Sequence, residues 1–190
     1  MGRSKPLLPW SSGQSIIQHL VRVAQQAEVG DICVVAGHDA ALIAAELVSS
    51  DISIVVNNDY ANQEMITSLQ VGLRALAITT RATLIMLADM PLIGAHIIKD
   101  VVQAWRATGA WAVVPTYQGQ RGHPVLFGRE LWPTLLSLPP DAAPRDALRQ
   151  HPQHIHLMPV DDPAVLLDMD TPDAYHNLRA QAGLPPLTAD

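Results

Sequence analysis

The strongest constraint on this chain is a rhythm in which short aliphatic runs alternate with longer stretches of helical periodicity. "DICVVAGH" (31–38), "ISIVVNND" (52–59), "ATLIMLADMP" (82–91) and "AWAVVPTY" (110–117) read as strands, and the third, the most apolar, belongs at the sheet centre. "IHLMPVDD" (155–162) and "AVLLDMD" (164–170) are expected to finish the sheet. Helical patterns fall between them at about 14–30, 39–49, 64–78 and 93–108, then near 128–137 and 172–182. Ser12, Asp39 and Thr171-Pro172 stand where N-caps are needed. A strand–helix alternation of this kind implies an α/β fold with a mostly parallel, doubly wound sheet and right-handed crossovers. With one Phe and three Tyr in 190 residues, Val, Ile, Leu and Ala must fill the core, the composition of a sheet covered by helices on both faces. That length supports one core, so residues 1–190 are expected to form a single domain.

The same composition excludes several classes of partner. A net charge of −6 with no basic block argues against nucleic acid. No run approaches the roughly 20 apolar residues that span a bilayer, so no membrane is expected. A lone Cys33 forms no internal disulfide and reads as a small buried hydrophobe in a strand. The expected compartment is the cytoplasm.

Ligands of doubly wound sheets bind at the carboxyl ends of the strands. Asp89 follows the apolar run of the central strand, where it suits either a crevice carboxylate or the cap of the next helix. Asp168 and Asp170 flank Met169; the expectation is that only one of the pair faces the crevice, with Asp170 equally placed to cap the helix after Thr171. Two carboxylates from different strand ends suit a hard divalent ion such as Mg²⁺, whose remaining ligands are phosphate oxygens and water. Gly2, Arg3 and Lys5 form a short loop before a helix, a composition that suits phosphate without matching a Walker loop. "QGQRGHPVLFGRELWP" (118–133) reads as either a mobile substrate loop or a Gly-rich β-turn around Arg121 and His123. His151, His154 and His156 lack the companions of a zinc site and read as surface. No Gly-x-Ser-x-Gly elbow offers a nucleophile, and no Gly-x-Gly-x-x-Gly follows a strand.

Five blocks in order, "MGRSKPLLPW", "VVNNDYANQEMITSLQVGLRAL", "LADMPL", "RGHPVLFGRELWP" and "VDDPAVLLDMDTPDAY", resemble the MobA-like nucleotidyltransferases, and within them the molybdenum cofactor cytidylyltransferases. The resemblance covers nearly the whole chain and implies a Rossmann-like three-layer α/β/α fold. It implies roles residue by residue: Gly2 and Lys5 at the nucleotide triphosphate, with Lys5 catalytic; Ser68 near the pyrimidine base; Asp89 and Asp170 as Mg²⁺ ligands; His123 on the acceptor side. The implied reaction is transfer of CMP from CTP to the molybdopterin phosphate with release of pyrophosphate. A molybdenum hydroxylase or its chaperone would then receive the product.

Family members of this kind begin with an apolar strand and "LAAGxSxR", and Met1 aligns with a Met inside that motif. The resemblance therefore implies that the first strand and part of the phosphate loop are missing, with a start at an internal Met, leaving unpaired backbone along a buried edge. Gln63 stands where the family has Gly. Guanylyl or other nucleotidyl transfer to a different phosphorylated acceptor, and a non-catalytic nucleotide-binding remnant, are the alternatives.

Overall fold

The computed structural model describes residues 4–11, 13–48, 50, 52–60 and 65–186. A 3-10 turn at Lys5–Leu7 leads into a small antiparallel pair, β1 (Pro9–Ser11) and β2 (Gln14–Ser15), and then into α1 (Ile16–Gln26). The cap expected at Ser12 falls outside the described residues. The observed cap is Ser15, whose hydroxyl accepts from the Gln18 amide while the Gln18 side chain accepts from the Ser15 amide.

Two parallel strands follow, β3 (Cys33–Ala36) and β4 (Ser53–Val56), joined through α2 (Ala40–Glu46). Then come α3 (Met65–Ala75), β5 (Ala82–Ile85), α4 (Ala95–Thr108) and β6 (Ala112–Tyr117). The segment 118–133 resolves into structure: a tight turn with Gln118 and Gly119 at positive φ, then β7 (Gln120–Arg121) folded back on β6, then β8 (Val125–Gly128). α5 (Trp132–Ser137), α6 (Pro144–Gln150), β9 (Ile155–Pro159) and α7 (Pro172–Gln181) complete the order.

The expected strand at 164–170 is not one. Pro163–Leu166 is a 3-10 turn capped by Asp162, and the stretch after it is irregular. Its apolar residues are buried by packing instead: Val165 between α4 and the sheet, Met169 against Trp10 and Tyr175.

Among the described residues, and apart from the β1–β2 pair, the strands divide into two sheets. β3 pairs with β4 alone, whereas β5, β8, β6 and β9 form a second sheet in which β8 runs antiparallel between β5 and β6, so β5, expected at the sheet centre, stands at one end of this order. Among the described residues no ladder joins β3 to β5. The helices bind the two sheets together. α1 sends Ile17 and Val21 toward Val34, Ala36 and α2, and Val23 and Ala27 toward α4 and the larger sheet. α3 covers the opposite face, with Gly72 close under Val35 and with Ile66, Leu69 and Leu73 against β6, β8, α5 and α6.

Side-chain alternation in the central strands shows the three layers. Ala112, Val114, Val125 and Phe127 face the α3–α5–α6 layer, whereas Val113 and Leu126 face α1 and α4. Among the described residues, no helix is long and apolar enough to cross a membrane.

Candidate active site

The site lies beyond the carboxyl end of β5, where residues 86–91 leave the sheet. Two contacts fix this turn. The Asp89 carbonyl accepts from the Met169 amide at 2.9 Å, and the Pro91 carbonyl accepts from His19 of α1, also at 2.9 Å. Burial of the His19 ring lowers its pKa and favours the neutral tautomer that donates here.

Lys5 reaches this turn because the N-terminal segment is tied to α7. Trp10 is buried against Met169, Tyr175 and Leu178. The Tyr175 hydroxyl and the Arg179 guanidinium both donate to the Pro9 carbonyl, and Arg179 donates to the Trp10 carbonyl as well. A charged side chain is thus buried by being satisfied on backbone oxygens. Lys5 Nζ then stands 2.6 Å from Asp170 Oδ1. Gly2 lies outside the described residues.

Asp89 is the electrostatic centre. Its Oδ1 is buried and has no hydrogen-bond partner among the described residues. Burial pushes the carboxyl above its ordinary range; its own backbone amide and Lys5 pull it down, and Asp170 and Asp168 push it up. Of Asp168 and Asp170, only Asp168 is among the residues that line the cleft. Asp168 lines the cleft with Asp89, Asp170 holds Lys5, and both act on Asp89. In extended backbone, residues two apart share a face, so the buried Met169 between them points the other way, into the core. Asp170 is not the helix cap; Thr171 is, accepting from the Ala174 amide.

A cleft of about 250 Å³ opens beside Asp89, with Arg121, His123 and Asp168 in its wall. The His123 ring is mostly buried, and its Nδ1 has no partner among the described residues. Burial lowers its pKa, while the Ile85 carbonyl and Asp89 pull it up. Two backbone bonds pin this segment: Gly122 N–H donates to Pro115 at 2.8 Å, and His123 N–H donates to Val165 at 2.9 Å. A Cβ at Gly122 would lie 2.3 Å from the Val165 carbonyl oxygen. Gly122→Ala is therefore expected to lower stability by about 1–3 kcal/mol, the cost typical of overpacking. Urea denaturation measures this, and an unchanged midpoint would refute the close approach.

Ser68 does not join this cluster through any direct bond. It sits on α3 and accepts from Asn57 Nδ2 at 3.0 Å. Asn57 is 3% exposed; its amide oxygen accepts from the Asp59 amide, so one side chain shapes the turn after β4 and fixes the Ser68 hydroxyl. The structure thus gathers Lys5, Asp89, Asp170 and His123 at one end of β5 and leaves Ser68 in a separate network at the ends of β3 and β4.

Among the described residues, no group of three or more His, Cys, Asp or Glu is arranged to hold a metal by itself. An unpartnered, buried carboxylate oxygen pressed by two neighbouring carboxylates does fit a divalent ion whose other ligands come from phosphates. The histidines at 151 and 154 are structural: His154 stacks on Trp111 with centroids 3.9 Å apart, and His151 bonds Thr134.

A carboxylate pair and a lysine gathered beyond β5 suit chemistry on phosphates. In agreement, the chain belongs to the MobA-like NTP transferase domain family, whose model matches residues 1–155. Its enzyme class is accordingly nucleotidyl transfer. It is similar to the molybdenum cofactor cytidylyltransferase of Escherichia coli K12, with 27% identity over 175 residues, 92% of this chain and 86% of that one. The Rv0371c protein of Mycobacterium tuberculosis H37Rv, crystallised with manganese, superposes with a TM-score of 0.80 at 26% identity, covering 94% of this chain and 93% of its own. A nucleotidyl transferase from Methanothermobacter shares the fold, with a TM-score of 0.78 at 21% identity over 93% of this chain and 84% of that one.

Proposed function

We propose that this protein transfers CMP from CTP to the terminal phosphate of a molybdopterin cofactor and releases pyrophosphate. The observation that carries the reading is the buried, unpartnered Oδ1 of Asp89 beside the Lys5–Asp170 pair. An acceptor phosphate oxygen forms a bond to the α-phosphorus of CTP. The bond from that phosphorus to the bridging oxygen breaks, and its electrons leave with pyrophosphate.

Two anions must meet, so the protein supplies position and counter-charge rather than a covalent intermediate. Asp89 and Asp170 would hold Mg²⁺ or a similar divalent ion, which when bound neutralises phosphate charge and polarises the phosphoryl oxygens. The manganese in the Mycobacterium relative supports an ion of this type. Lys5 stabilises the charge developing on the departing pyrophosphate. Gly2 contributes to the triphosphate loop, Ser68 contacts the base and His123 lines the acceptor side. The product passes to a molybdenum hydroxylase or its chaperone in the cytoplasm.

Pyrophosphate release from CTP and from GTP, with Mg²⁺ and molybdenum cofactor, tests the reading. Turnover with CTP exceeding that with GTP is the expected result. Preference for GTP would make the protein a guanylyltransferase, and release with neither nucleotide would leave a nucleotide-binding remnant.

A further inference from the structure

The cleft beside Asp89 also holds a cation, Arg121. Arg121 lies on β7, opposite Thr116 of β6, and its side chain lines the cleft together with Asp89 and Asp168. Although it shares that space with two carboxylates, Arg121 makes no ion pair and no side-chain hydrogen bond among the described residues. The other cation at this end of β5, Lys5, is already engaged by Asp170.

We propose that Arg121 receives the phosphate monoester of the acceptor and holds it against the Asp89 side of the cleft. This rests on the nucleotidyl-transfer reading of the same site. A phosphate monoester carries close to two negative charges at neutral pH. Asp89 and Asp168 would repel it unless positive charge stands opposite them. A guanidinium is suited to that task because its planar fork bonds two phosphate oxygens at once.

The backbone makes the placement repeatable. The next residue, Gly122, is locked between the Pro115 and Val165 carbonyls with no room for a Cβ, so the hairpin carrying Arg121 has a fixed root. The exposed Arg121 side chain extends from that root along a cleft of about 250 Å³, room for a phosphate and its first carbons. Apolar Leu87 and Leu166, both only partly buried, line the same space and suit the carbon stem of the acceptor.

Two measurements on Arg121→Ala and Arg121→Lys decide the matter. In steady-state assays, the Ala variant should raise KM for molybdenum cofactor at least tenfold, the Lys variant less, with KM for CTP within twofold of wild type. A rise in KM for CTP instead would assign the guanidinium to the nucleotide and overturn the proposal. Titration of ethyl phosphate into the wild-type and variant proteins, followed by 31P NMR, reads the same contact without turnover. Affinity should fall about tenfold in the Ala variant and partly return with Lys, and equal affinity in all three would overturn the proposal. If the wild-type protein releases no pyrophosphate with any nucleotide, the transfer reading fails, while the ethyl phosphate titration still decides for or against Arg121.

Discussion

Asp89→Asn is expected to abolish nucleotidyl transfer while making the metal-free protein more stable at neutral pH. The loss should reach about 10³-fold or more, in keeping with the several kcal/mol that a bound metal ion contributes to stabilising transition-state charge. The gain follows from the direction of the Asp89 pKa. Burial raises it above the unfolded value, so the folded state binds this proton more tightly than the unfolded chain does. Below the unfolded pKa the carboxyl is protonated in both states and costs nothing. As pH rises through the interval up to the folded pKa, the folded protein loses stability, and the loss persists above it. An Asn at this position carries no such charge. Thermal unfolding in EDTA should therefore show matching wild-type and variant midpoints in acid and a higher variant midpoint at pH 7. Retained turnover in Asp89→Asn would remove Asp89 from the metal site, and a lower midpoint at pH 7 would contradict the burial of its charge.

Lys5→Met is expected to lower kcat/KM by about 10²-fold, the scale seen when one preorganised donor to developing charge is lost. Its effect on stability should be small. The Lys5–Asp170 contact is short at 2.6 Å, but the Asp170 side chain is 69% exposed, and pairs open to solvent contribute about 1 kcal/mol or less. A large fall in activity with little change in unfolding midpoint would separate a chemical role from a structural one. The reverse pattern would make Lys5 a strut for the N-terminal segment. Metal affinity provides a further readout: freeing Asp170 from its partner should alter Mn²⁺ binding, which a purely structural lysine would not do.

Much of this architecture was legible in the chain because aliphatic runs and strand ends carry local signals. The runs at 31–38, 52–59, 82–91, 110–117 and 155–162 each contain a strand, and Asp89 stands at the exit of β5 as the apolar run implies. Features set by distant partners were not legible. β8 runs antiparallel between β5 and β6 because its register depends on residues far away in sequence, and nothing within "VLFG" states its direction. The 164–170 run looked like a strand because it is apolar, yet its burial comes from helix and loop packing. α6 does carry local signals, since Pro144 at its start and Asp146, accepting from the Ala143 amide, open helices, but its short length gives no apolar periodicity to accompany them.

In the site, residue spacing held information that went unused. Asp168 and Asp170, two apart, were legible as neighbours on one face. Asn57 was visible only as a polar strand end, since its bond to Ser68 joins a turn to a helix eleven residues on. Arg121 offered no signal beyond its glycine neighbours, because its significance lies in which carboxylates the fold brings opposite it.

The division of the strands into two sheets has a bearing on how the molecule opens. β3, β4 and α2 are held to the larger sheet through the side chains of α1 and α3, and among the described residues no backbone ladder links β3 to β5. Side-chain packing yields to small displacements more readily than a continuous ladder does, so the β3–β4 amides are expected to exchange with solvent faster than those of the β5–β8–β6 core. The Asn57 turn belongs to the looser element and the Asp89 turn to the firmer one. Under the proposed reaction, a nucleotide triphosphate laid from Ser68 to the Asp89 turn would bridge the two elements and couple their opening.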